Sequence, residues 1–101
     1  MIKLVVTNNT QLYHRLAVRI RSEGDTPHHA TNALDGFQCA VRLRPNAIIV
    51  DMSLHAADTL VETLHSRDLT AGIPLYAVQS DHRLPLELRR LCTGVLEAGK
   101  L

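Results

Sequence analysis

Apolar residues along this chain come in short runs that alternate between two periods. Residues 2–6, Ile-Lys-Leu-Val-Val, form an apolar stretch that stops at Thr7-Asn8-Asn9-Thr10, which predicts a buried strand ending in a loop. Beyond it Leu12, Leu16 and Ile20 recur at i, i+4 and i+8 with Tyr13 and Ala17 beside them. Arg15, Arg19 and Arg21 take other faces, and Gly24 closes the segment. This is the pattern of an amphipathic helix capped by Asn9 or Thr10. Thr26-Pro27-His28-His29-Ala30 predicts a short strand, and Pro27, with no N–H to donate, confines it to a sheet edge.

The same alternation continues. A helix is predicted from Leu34 to Leu43, with Phe37, Ala40 and Val41 inward, ended by Pro45. Ala47-Ile48-Ile49-Val50 is fully apolar, which predicts a strand covered on both faces and closed by Asp51. Asp58 is the expected cap of a third helix, with Leu60, Val61 and Leu64 as its buried stripe and Gly72 as its break. Ile73 to Val78 predicts another buried strand, its proline tolerated at the start. Pro85 suits the first turn of a fourth helix carrying Leu84, Leu88 and Leu91 inward, and Gly94 to Ala98 reads as a last strand. Alternating strands and helices over residues 1–101 predict one α/β domain, a mostly parallel sheet with helices on both faces. The functional crevice of such a sheet lies at the carboxyl ends of its strands. Thr7, Asn8, Asn9, Asp51, Met52, Gln79, Ser80 and Ala98 to Lys100 fall there.

Composition narrows the chemistry. The formal net charge is +1, so no electrostatic excess points to nucleic acid or an anionic membrane. The apolar start is too short for a signal peptide or a membrane span. Cys39 and Cys92 sit in apolar periodic segments without a CxxC spacing, as expected of buried free thiols in a reducing cytoplasm. His28 and His29, adjacent on a strand, point to opposite faces and cannot easily share a metal; a solvated edge strand is expected. His14, His55, His65 and His82 are scattered, and no triad geometry can be assigned to Ser53 or Ser80. Arg83, Arg89 and Arg90 make the polar side of the fourth helix basic. No glycine-rich phosphate loop occurs. The residues thus nominate no catalytic group and no metal site.

Arg44-Pro45-Asn46-Ala47-Ile48-Ile49-Val50-Asp51-Met52-Ser53-Leu54 resembles the segment around the phosphoacceptor aspartate of bacterial response-regulator receiver (CheY-like) domains. Ala71-Gly72-Ile73-Pro74-Leu75 resembles the lead-in to that family's fourth strand. Ala30-Thr31-Asn32-Ala33 fits the end of its second strand, and Asp58 the acidic residue opening its third helix. The resemblance runs over nearly the whole chain as far as Ser80. It implies a flavodoxin-like, doubly wound parallel sheet of five strands in the order 2-1-3-4-5. The family's chemistry uses an acceptor aspartate, two acidic residues after the first strand that help hold Mg²⁺, and a Thr or Ser and a Lys that respond to the phosphoryl group. Asp51 occupies the acceptor position, but the acidic pair is Thr7 and Asn8, and Asn9 stands where a third carboxylate sometimes lies. Gln79 takes the Thr/Ser position, with Ser80 one residue late, and Ala98 takes the Lys position.

Attraction for a hard dication falls with each lost carboxylate. The resemblance therefore implies a degenerate receiver, without cofactor, that acts in bacterial signal transduction by binding protein and not as an enzyme. Two readings of Asp51 stand beside each other: a strand terminator hydrogen-bonded to its loop, or a working phosphoacceptor served by a histidine kinase and Mg²⁺. Lys100, two residues past Ala98, points to the same side if the segment is extended and would restore the lysine. Family members continue into a fifth helix beside the first, whereas this sequence stops at Leu101. Apolar side chains of the fourth and fifth strands are then expected to lie open to a protein partner or a second copy, and a fragment of a longer regulator would give the same sequence.

Overall fold

A computed structural model describes residues 1–81 and 83–101; His82, one of the scattered histidines, lies outside the described residues. Five parallel strands form one sheet in the order β2-β1-β3-β4-β5. They are β1 (Ile2–Val6), β2 (Thr26–Ala30), β3 (Ala47–Asp51), β4 (Leu75–Gln79) and β5 (Gly94–Glu97). The helices between them are α1 (Thr10–Ser22), α2 (Ala33–Leu43), α3 (Ala57–Ser66) and α4 (Leu86–Arg89). This is the doubly wound order expected, with Pro27 on the edge strand as anticipated. A single 3₁₀ turn, Ala98–Lys100, follows β5, and no fifth α-helix is present among the described residues.

The two sheet faces are covered unequally. On one, Leu4, Val6, Ile48, Val50 and Leu75 pack under α2 and α3, with Leu88 and Leu91 at the margin. Gly36 permits that closeness: a Cβ there would stand 2.8 Å and 2.9 Å from the two methyls of Val6. On the other, Val5, Ile49 and Val78 pack under α1 alone, through Leu12, Leu16 and Ile20. Val78 is only 2% exposed, while Tyr76 and Leu96 are half-buried, so the expected exposure of β4 and β5 is partial. The 3₁₀ turn brings Ala98 and Leu101 back onto this face and supplies part of the cover. A groove of about 390 Å³ remains between α1 and β4–β5.

Of the two caps expected for α1, Asn9 serves, its Oδ1 accepting the Leu12 N–H at 3.1 Å. Several other local expectations are corrected. The third helix is not capped by Asp58; it starts after Ala56 in a left-handed conformation (φ 62°), and the Asp58 carboxylate accepts the Thr59 N–H within the first turn. Nor does it reach Gly72. It stops at Ser66 because the buried Thr70 hydroxyl turns back to donate to the Leu64 carbonyl at 2.7 Å. The fourth helix is one turn long: Leu84 precedes it with its N–H held by Gln79, and Pro85 is extended (ψ 148°). β5 ends at Glu97, so residues 98–100 are not extended and the alternation that placed Lys100 beside Ala98 does not occur. Cys39 is buried, but Cys92 is only half-buried; burial pushes its thiol pKa up.

Candidate functional site

The carboxyl ends of β1, β3 and β4 converge on Asp51, the last residue of β3, which is 6% exposed. Burying a carboxylate is costly unless hydrogen-bond donors replace its water. Three do so. The Thr7 hydroxyl donates to Asp51 Oδ2 at 2.7 Å, and the Ser53 backbone N–H and hydroxyl donate to Oδ1 at 3.0 and 2.7 Å.

Thr7 is fixed in turn by every polar atom it has. It is fully buried just past β1, and its N–H donates to the Ala30 carbonyl at 2.9 Å. Its hydroxyl, having given its proton to Asp51, accepts the Asn9 N–H at 3.0 Å. Its carbonyl lies 2.8 Å from His29 Nε2, so that ring nitrogen carries the proton and donates. His29 also stacks on Tyr13 of α1, centroids 3.9 Å apart and planes within 6°. The expected solvated edge is therefore half-filled: His29 packs between β2 and α1 because an aromatic partner covers it.

The other positions of the resemblance fall differently. Gln79 is 8% exposed and bridges two elements: its Oε1 accepts the Leu84 N–H at 3.0 Å, and its Nε2 donates to Glu97 at 2.5 Å. The position where a small hydroxyl residue would respond to a phosphoryl group thus holds a fixed bracket across the β4–α4 loop and β5. Asn8 is exposed, and Asn9 Oδ1 is committed to capping α1. Lys100 is exposed on the 3₁₀ turn, while Ala98 lines the space beside Asp51.

That space is a polar cleft of about 130 Å³, lined by Asn9, Gln11, Arg15, Asp51, Ser53 and Ser80 among others. Arg15, which the sequence pattern assigned only to a polar helix face, stands at this cleft on the amino-terminal half of α1. Its spacing of four from Gln11 is the signal that could have placed it. No cluster of three or more His, Cys, Asp or Glu side chains occurs among the described residues. Around Asp51 the oxygen donors for a divalent ion are one carboxylate and neutral groups already engaged, a set that does not suit Mg²⁺.

Neither a protein-family sequence model nor a curated protein sequence matches the chain. Solved structures do. The response regulator receiver domain (CheY-like) from Methylobacillus flagellatus superposes with a TM-score of 0.84 at 18% identity, over 96% of this chain and 85% of that one. The N-terminal domain of a response regulator receiver protein from Methanoculleus marisnigri gives 0.83 at 14% identity, over 95% and 82%. The chemotaxis protein CheY4 of Vibrio cholerae gives 0.82 at 15% identity, over 95% and 84%. With the strand order and the position of Asp51, these likenesses establish that the chain has the response-regulator receiver, CheY-like fold.

Proposed function

We propose that this chain is a receiver-fold protein-interaction module in bacterial signal transduction that holds one conformation without phosphorylation of Asp51 and without Mg²⁺. The observation that carries the reading is the Asp51 carboxylate, whose oxygens accept three hydrogen bonds from Thr7 and Ser53. Phosphoryl transfer asks an acceptor oxygen to face the incoming phosphorus, with cations spreading the charge of its equatorial oxygens. Here the nucleophile is already bound by donors, and among the described residues Arg15 is the one cation lining the cleft. The fixed Gln79 bracket further supports a β4–α4 loop that does not switch.

The module acts in the cytoplasm, is no enzyme, and binds a protein partner or a second copy through the sheet face under α1, where a groove lies between α1 and β4–β5. No helix among the described residues is long and apolar enough to cross a membrane. The test is intact mass after incubation with acetyl phosphate, with and without Mg²⁺, alongside Asp51→Asn. The reading expects no adduct in any sample. A Mg²⁺-dependent gain of one phosphoryl group, lost in Asp51→Asn, overturns it in favour of a phosphoacceptor served by a histidine kinase.

A further inference from the structure

Helix α2 presents a second apolar surface, which shares no lining residue with the Asp51 cleft or the α1 groove. The helix turns Gly36, Cys39 and Ala40 into the core. Its outward side still carries apolar side chains: Leu34 is 69% exposed, and Phe37 and Val41, expected inward, are only half-buried. These three stand at i, i+3 and i+7, the spacing of a helix-pairing seam. Toward α3 the seam is bordered by two hollows, one of about 220 Å³ at the Leu34 end and one of about 500 Å³ at the Val41 end, and Phe37 lines both. Leu69, 52% exposed, borders the second.

Charge selects the occupant. On the flank of α2 away from Phe37 stand Asp35 in the first turn and Arg42 in the last, both exposed. Among the described residues neither forms a salt bridge, and the Arg42 guanidinium lies 3.7 Å from the Cys39 sulfur. With Arg44 at the C-cap, one end of the helix is acidic and the other basic. In the hollows Arg67 and Asp68 add one charge of each sign, and Glu62 lines neither. A two-fold interface sets residue i of one copy against j of the other and j against i. Laid antiparallel about an axis at the exposed Gln38, α2 brings Asp35 to the partner's Arg42 twice over and Leu34 to the partner's Val41 along the seam. Parallel docking would set like charges together. We propose that α2 pairs antiparallel with α2 of a second copy of this chain, with Leu34, Phe37 and Val41 as the seam and reciprocal Asp35–Arg42 ion pairs at its ends. This surface goes beyond the reading above and depends on neither Asp51 nor the α1 groove.

The test is sedimentation velocity over a concentration series reaching the millimolar range, with amide chemical shifts of the labelled protein mapping the contact. One helix face per copy is small beside the roughly 800 Å² per partner of a standard interface, so the dimer is weak and the upper end of the series is needed. The expected result is a dimer whose concentration-dependent shifts centre on Leu34, Gln38 and Val41, and which L34E abolishes. D35R and R42D should each weaken self-association on the order of tenfold, because each turns two attractive pairs repulsive. An equimolar mixture of D35R and R42D should restore it, since each copy then presents the sign the other lacks. That recovery separates lost pairing from lost folding, and circular dichroism checks each variant. A wild type that stays monomeric throughout, shifts confined to α1, β4 and β5, or a mixture no tighter than either variant alone overturns the proposal. Acetyl phosphate labelling reads Asp51 alone, so the failure of either reading is seen separately.

Discussion

Replacing Thr7 by Val tests what holds Asp51. The substitution keeps β-branching and nearly the same volume at a fully buried position while deleting one hydroxyl. That hydroxyl makes a 2.7 Å bond to a carboxylate oxygen and a 3.0 Å bond from the Asn9 N–H. A hydrogen bond to a charged group contributes about 1.5–3 kcal/mol, and a donor left unpaired costs about 1–3 kcal/mol where water cannot reach it. Asn9 is exposed, so water recovers part of the second loss. The expected loss of stability at neutral pH is therefore about 2–4 kcal/mol, a large part of a small domain's total. It should appear in urea unfolding followed by circular dichroism as a lower midpoint with an unchanged slope. Combining Thr7→Val with Asp51→Ala closes a cycle in which the two losses overlap by about 1.5–3 kcal/mol. A loss below about 0.5 kcal/mol, within the range of ordinary surface changes, or additive losses in the cycle, would refute the claim that Thr7 restrains the carboxylate.

Three further outcomes follow from other contacts. Gly36→Ala adds a Cβ within 2.9 Å of both Val6 methyls. Overpacking of about 1–3 kcal/mol should outweigh the roughly 1 kcal/mol gained in helix propensity, so a stabilised variant in a thermal melt would contradict the packing. Gln79→Leu removes the acceptor of the Leu84 N–H and the donor to Glu97. Hydrogen exchange at Leu84 should accelerate at least several-fold, and unchanged exchange would mean that the bracket holds nothing. Hydrogen bonding to Lys3 lowers the Asp25 pKa, and the same contact with Asp25 raises that of Lys3. With Asp25 lowered in the fold, its contribution is present above the ordinary carboxylate pKa and lost as pH falls through the folded value. Lys3, raised, contributes fully below the ordinary lysine pKa and loses its contribution as alkaline pH passes the folded one. In Lys3→Met, carboxyl NMR should find the Asp25 midpoint higher than in the wild type; an unmoved midpoint refutes the pairing.

What could be read from the sequence was what repeats locally. The run 47–50 declared a doubly covered strand because every residue in it is apolar, and α1 was legible because its stripe and its cap lie within one segment. The end of α3 was hidden because Thr70 reaches back six residues to the Leu64 carbonyl, a contact that no periodicity encodes. The one-turn α4 was hidden similarly, since its leucines keep a helical spacing while Gln79 holds the Leu84 N–H outside the helix. At the candidate site the resemblance assigned Asp51, Thr7 and Gln79 to the carboxyl ends of β3, β1 and β4. It presented Thr7 and Gln79 as losses, whereas the fold employs both: one restrains a carboxylate 44 residues away, the other ties two elements together.

The chain has two tyrosines and no tryptophan. Tyr13, on α1, stacks on His29 of β2, and Tyr76, on β4, lies over Gly94 of β5. Ultraviolet emission from this protein therefore has two sources with separate surroundings. Tyr13 is in stacking contact with an imidazole ring, and Tyr76 lines the open groove. In Tyr13→Phe the remaining emission comes from the groove floor alone, so the protein carries an unlabelled optical gauge of whether that floor is wet or covered.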